Sequence, residues 1–128
     1  MKTTKNYMCD FSYSLINIYK KGKGYIDATK CVDLFDGKEA LNIIRFWVSP
    51  EYRGNKKRYG KQLLDCVVKE AKEKGIKRIF VTPKADNYDD DTEYMEINAL
   101  YTKYKNLGFK FINSQHIKVD GNIMFLDL

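Results

Sequence analysis

Arg53, Gly54, Asn55, Lys56, Lys57, Arg58, Tyr59, Gly60 and Lys61 place five positive charges and two glycines in nine consecutive residues. They follow an apolar run, Ile43 to Val48, and lead into a segment with helical spacing. The first turn of a helix carries backbone N–H groups without intrahelical partners and the positive end of the helix dipole, so such a junction is built to hold an anion, above all a phosphate. Two familiar phosphate loops do not fit it. A loop that wraps a nucleoside triphosphate needs two glycines four residues apart, then Lys and Ser or Thr, because a hydroxyl must hold the magnesium. Here Gly54 and Gly60 are five residues apart and Gln62 follows Lys61. The G-x-G-x-x-G of dinucleotide sites is absent as well.

The elements that must position this turn follow from hydrophobic periodicity. Phe11 to Tyr19, Tyr25 to Phe35 and Leu41 to Val48 read as a meander of three antiparallel strands, with a tight turn at Asp36-Gly37 and the most apolar strand, the third, lying centrally. From Tyr59 the residues Leu63, Leu64, Val67, Val68 and Ala71 recur at helical spacing up to Gly75, a C-terminal stop. Ile76 to Thr82 returns as a strand parallel to the third. A loop from Asp86 to Glu93, a helix from Ile97 to Leu107 stopped by Gly108, and strands at Phe109–Ile112 and Ile123–Leu128 turned through Asp120-Gly121-Asn122 complete the chain. The expected fold class is α/β: a mixed, mostly antiparallel central sheet with a central parallel strand pair. The 128 residues suffice for one domain, residues 1–128, and not two.

Composition narrows the function classes. The chain has no apolar run long enough to cross a membrane, and no apolar stretch follows Met1 to Asn6 as in a signal peptide, so a cytoplasmic location is expected. Cys9, Cys31 and Cys66 are odd in number and far apart, which reads as reduced thiols rather than disulfides or a zinc site, and His116 stands alone. No metal is expected. The net charge of +6 is unevenly spread, because Ala85 to Thr102 contains six acids and no lysine or arginine. An acidic segment beside a basic loop argues against nucleic acid, whose binders spread basic residues along one face, and favours a cationic ligand.

The segment FWVSPEYRGNKKRYGKQLL resembles the core motif of the GNAT superfamily of N-acetyltransferases, and Asn98 to Phe109, NALYTKYKNLGF, resembles the family helix that ends Y-x-x-x-G-F. The resemblance spans residues 41 to 128, with Met124 placed as family members often place a methionine. It implies acetyl-CoA as cosubstrate and acetyl transfer to a primary amine. It implies that backbone groups of Phe46, Trp47 and Val48 hold the pantetheine arm, with Asn98 near it although one residue off the usual spacing. Arg53, Gly54, Asn55, Lys56, Lys57, Arg58, Tyr59, Gly60 and Lys61 would hold the pyrophosphate, and Tyr104 would protonate the departing thiolate. Two departures stand out: aligned on Gly60 the loop has Asn55 at its first position and Arg58 in the place of a glycine, while aligned on Arg53-Gly54 it has two extra residues; and the N-terminal helices of the family are shortened or absent, leaving an open acceptor side for a large substrate or a second copy of the chain.

Thioester aminolysis needs a polarised carbonyl, a neutral amine and a stabilised thiolate. A strand-end N–H near Val48 suits the first task. Tyr104, with an ordinary pKa of ~10 against ~8.5 for a thiol, would donate uphill in water, so the site must be desolvated. Tyr101 shares the helix face of Tyr104 and competes for the role. Glu39 and Glu96 are candidate bases. The acceptor is expected to be a small-molecule or protein amine of cationic character, with no membrane partner. A rival reading is a non-catalytic sensor of acyl-CoA or a basic nucleic-acid-binding module.

Overall fold

The computed structural model describes residues 2–4, 7–10, 15–20, 23–53, 58–83, 97–112 and 123–128. Its strands are β1 (Lys2–Thr4), β2 (Tyr7–Asp10), β3 (Leu15–Lys20), β4 (Gly24–Val32), β5 (Glu39–Val48), β6 (Arg78–Val81), β7 (Lys110–Phe111) and β8 (Met124–Asp127). Two helices, α1 (Tyr59–Glu73) and α2 (Ile97–Asn106), and a 3-10 turn at Pro50–Tyr52 complete the described elements. All eight strands form one sheet in the order β1-β2-β3-β4-β5-β6-β8-β7, antiparallel throughout except for the β5–β6 pair. The expected mixed sheet with one central parallel pair is therefore present. The parallel pairing follows from the helical crossover through α1, which returns the chain in the same direction.

The meander differs from expectation at both ends. Two strands, β1 and β2, precede the first expected one and extend the sheet. The strand expected to run from Tyr25 to Phe35 stops at Val32. The Asp33 carboxylate accepts hydrogen bonds from the N–H groups of Phe35 (2.7 Å) and Asp36 (3.4 Å), which turns the chain three residues early. Gly37 closes that turn at φ +73°, its N–H donating to the Asp33 carbonyl.

Both helices lie against one face of the sheet. Leu63, Leu64, Val67 and Ala71 of α1 join Ile18, Ile26, Ala28, Leu41, Ile43, Ile79 and Met124 in the main core, with Tyr104 of α2. Burying each large aliphatic side chain is worth about 1.5–3 kcal/mol. The other face holds a smaller cluster of Ala40, Phe80 and Ile112 with Phe125 against it. There the Arg78 guanidinium ties the early turn to the sheet through Asp33 (3.0 Å) and Asp127 (3.1 Å), and it covers the Phe35 ring. Burial, helped by Asp33, pushes the Cys31 thiol above its ordinary value, so it stays protonated. Neither Cys31 nor Cys66 is in a disulfide. The expected turn at Asp120-Gly121-Asn122, the acidic loop and His116 lie outside the described residues.

Candidate active site

The site begins where β5 loses one of its neighbours. β4 accompanies β5 to its end, Gly24 opposite Val48, but β6 pairs only with Leu41, Asn42 and Ile43 before Thr82 and Pro83 end it. Beyond that point β5 has no strand partner on the β6 side among the described residues. The β4–β5 register shifts here: Asp27 opposes Arg45 and Ala28 opposes Ile43, leaving Ile44 as the extra residue of a bulge. A bulge bends a strand and resets which side chains face which way. Leu41 and Ile43 face the helices before it, Phe46 and Val48 after it.

The free edge can be assigned atom by atom. Ser49 N–H donates to the Lys23 carbonyl at 2.7 Å. In an antiparallel ladder the groups of alternate residues point to opposite neighbours, so Trp47 turns its backbone to β4 while Phe46 and Val48 turn theirs into the gap. The Val48 carbonyl is taken by Arg53 Nε at 2.7 Å, which folds the segment after the 3-10 turn back onto the strand end. The N–H groups of Phe46 and Val48 and the Phe46 carbonyl are left facing the notch, an edge that an extended ligand with amide groups can pair with.

At one end of the notch stands the start of α1. Its N-cap is Arg58 at φ 51°, ψ 58°, left-handed, and the Arg58 side chain makes no cap hydrogen bond to the helix start. Arg58 is the only described non-glycine residue with positive φ. Arg58 adopts the backbone conformation that a glycine takes without strain. Arg58→Gly should be more stable than Arg58→Ala by about 1 kcal/mol, since only glycine relieves the left-handed geometry; urea denaturation of the two variants measures this, and equal stabilities would refute it.

Gly60 sits in the first turn, where an added Cβ would meet Phe46 Cζ and Val48 Cγ2 at 3.6 Å. These are ordinary contacts on the sheet side, so Gly60 gives close packing of helix on strand rather than room for a ligand. Lys61 reaches along the exposed helix surface to Asp65 (3.1 Å). Gly54, Asn55, Lys56 and Lys57 fall outside the described residues. Tyr52 and Tyr59 pack edge to face at 5.3 Å, and Lys23 Nζ lies 4.9 Å from the Tyr59 ring centroid, adding a charge that the sequence pattern had not singled out.

Tyr104 closes the other end. Phe109 N–H donates to the Tyr104 carbonyl (3.0 Å) and Gly108 N–H to that of Lys105 (3.0 Å), while Gly108 is left-handed at φ 102°. This is a Schellman cap, and its usual apolar contact is the Tyr104–Phe109 ring pair at 5.4 Å. The Y-x-x-x-G-F pattern therefore has a mechanical meaning: it ends α2 and fixes the tyrosine's direction. That direction is toward Phe46, at 6.1 Å between ring centroids. Tyr104 is 5% exposed, and burial raises its phenol well above the usual range. Tyr101 instead packs on Phe111 at 5.2 Å, which separates the two tyrosines.

Other candidates do not reach the notch. Asn98 is exposed in the first turn of α2, and six residues before Tyr104 it points about 120° away around the helix. Trp47 lies on the opposite face of β5 against Tyr25 (5.9 Å). Glu39 pairs with Lys30 (3.6 Å) at the far end of β5, and Glu96 is not among the described residues. Arg45 pairs with the buried Asp27 (3.4 Å), also across the sheet from Phe46. One residue missed from sequence is Lys103. Its Nζ lies 4.1 Å from the Phe46 ring centroid, and burial with the nearby Arg53 charge lowers its pKa to about 8.

Among the described residues no group of His, Cys, Asp and Glu could hold a metal ion, and no helix is long and apolar enough to cross a membrane.

The fold has counterparts among solved structures. The fold is similar to that of an acetyltransferase from Streptococcus agalactiae 2603, at 22% identity over 89% of this chain and 66% of that chain, with a TM-score of 0.59. It is similar to the PaiA N-acetyltransferase of Thermoplasma acidophilum in complex with coenzyme A, at 23% identity over 89% of this chain and 60% of that one, TM-score 0.55. The ribosomal-protein-S18-alanine N-acetyltransferase of Escherichia coli aligns at 19% identity over 98% of this chain and 71% of that one, TM-score 0.51. This chain spans just under two thirds of the first of these and three fifths of the second. A search of curated protein sequences gave no match. The family model of the Acetyltransferase (GNAT) family matches residues 7–109. With that match covering most of the chain, the chain belongs to the GNAT family of acetyltransferases.

Proposed function

We propose that the chain transfers an acetyl group from acetyl-CoA to a primary amine by direct attack on the thioester. The observation that carries this reading is the notch itself. Phe46 lies beside both of its ends, with its ring 3.6 Å from where a Cβ on Gly60 of α1 would sit and 6.1 Å, centroid to centroid, from the ring of Tyr104. In this reading the N–H groups at the start of α1, with Arg58 and the basic loop, hold the pyrophosphate. The exposed backbone edge at Phe46 and Val48 pairs with the pantetheine amides, and one of those N–H groups polarises the thioester carbonyl. The neutral amine adds to the carbonyl carbon, the C–S bond breaks, and Tyr104 gives its proton to the thiolate. The burial that makes the phenol a weaker acid makes the thiolate beside it a stronger base, so the proton transfer is better matched than in water.

The acceptor in this reading is a cationic small molecule or protein amine drawn by the acidic segment between Asp86 and Glu96, in a cytoplasmic setting, on a side open to a large substrate or a second copy of the chain. The test is thermal denaturation with acetyl-CoA, CoA and ATP, then a thiol-release screen over polyamines, aminoglycosides and peptide amines. At a hundredfold excess over Kd, acetyl-CoA should stabilise the fold by about 2.7 kcal/mol, and ATP should not match it. No stabilisation by acetyl-CoA would overturn the reading. Binding without thiol release in any amine would favour a sensor of acyl-CoA.

A further inference from the structure

Lys103 has no part in the transfer described above, yet its amine lies at the same notch. Nζ is 4.1 Å from the Phe46 ring centroid and 5.9 Å from that of Tyr104. Among the described residues the groups facing it are few. The segment after the 3-10 turn brings Arg53, of like charge; α2 brings the neutral phenol of Tyr104; β5 brings the Phe46 ring. Among the described residues no carboxylate lies within ion-pair distance of it. With its pKa at about 8, close to half of the molecules carry a free amine there near that pH. An exposed lysine would be less than about 1% neutral under the same conditions.

A neutral, partly buried amine is a nucleophile. In the reading proposed above, on which this inference rests, the acyl group within its reach is the thioester of the bound cosubstrate. We propose that Lys103 is a self-acetylation site, taking the acetyl group of acetyl-CoA bound along β5 when no acceptor amine occupies the notch. The Nζ lone pair adds to the carbonyl carbon and the C–N bond forms. The C–S bond then breaks with its electron pair on sulfur, and the proton lost by nitrogen passes to the thiolate. The products are acetyl-lysine and CoA, with no oxidant, reductant or metal required. The acetamide carries no charge and fills the space beside Phe46, so the modified chain loses transfer to external amines. Self-acetylation would thus shut the site when acetyl-CoA is abundant and acceptor scarce.

The test incubates the purified protein with acetyl-CoA and no amine at about pH 7 and about pH 9, with intact-mass and peptide mass spectrometry. CoA binding is measured in parallel by calorimetry on wild type and Lys103→Arg. One acetyl group per chain, on Lys103, is expected, absent in Lys103→Arg and forming about tenfold faster at the higher pH, where an exposed lysine would gain about a hundredfold. CoA binding with an unmodified Lys103 overturns this inference and leaves the transferase reading standing. Acetylation spread over Lys61, Lys69 and Lys72 without preference for Lys103 overturns it too. Failure of CoA to bind the wild type removes the reading and the inference together.

Discussion

Tyr104→Phe should lower acetyl transfer by about a hundredfold or more, while acetyl-CoA affinity stays within about twofold. The substitution removes one oxygen and nothing else that the fold uses. The ring of Tyr104 packs against Phe46 and Phe109, and the Schellman cap that ends α2 uses its backbone carbonyl, so phenylalanine keeps both the packing and the cap. In the proposed reading, what is lost is the proton for the thiolate. A hundredfold loss corresponds to about 2.7 kcal/mol of transition-state stabilisation, within the range of a positioned general acid. The fall belongs in the turnover number rather than in binding, because the phenol meets sulfur only as the C–S bond breaks. Thiol release measured with a responsive amine, beside calorimetric titration of acetyl-CoA, separates the two. Unchanged turnover in the variant would show that water or another group protonates the leaving thiolate.

How much of this site was legible in sequence differs residue by residue. Both helices and Tyr104 were readable because 3.6-residue spacing and a terminal glycine are local signals, and the cap that aims Tyr104 is written within six residues, 104 to 109. The apolar run of β5 was readable as a strand, but its bulge at Ile44 was not, since an extra residue inside a continuous apolar run leaves no mark in composition. Yet the bulge turns Phe46 and Val48 toward the helices. The strands β1 and β2 are not legible in the sequence because short segments such as Lys2–Thr4 have no apolar alternation. Lys103 was invisible for a different reason. Beside Lys105 on a helix it reads as solvated surface, and only tertiary contact with Phe46 and the charge of Arg53 make it a perturbed amine. Its one local sign is its place directly before the tyrosine of the Y-x-x-x-G-F pattern.

Gly24→Ala should have the largest effect on stability, about 3 kcal/mol, lowering Tm by about 10 °C. Gly24 opposes Val48 at the end of the β4–β5 ladder. A Cβ there would sit 2.5 Å from the Trp47 carbonyl oxygen and 3.0 Å from Val48 Cα, both backbone atoms, with Leu63 Cδ1 at 3.4 Å behind them. A flexible side chain could rotate away from such a contact, but a strand cannot. The end of β5 must move, and with it the Ser49 N–H bond to Lys23 and the Arg53 bond to the Val48 carbonyl that hold the notch in shape. The variant should therefore also lose thermal stabilisation by acetyl-CoA. Gly37→Ala is the control, because Gly37 is left-handed but has nothing within 4 Å of an added Cβ. It should cost about 1–2 kcal/mol from backbone strain alone and leave the response to acetyl-CoA intact. Thermal denaturation of both variants with and without acetyl-CoA makes the comparison. If Gly24→Ala melted with the wild type, β4 and β5 would have to be farther apart at Val48 than the ladder places them, and the geometry of the notch would fall with that contact.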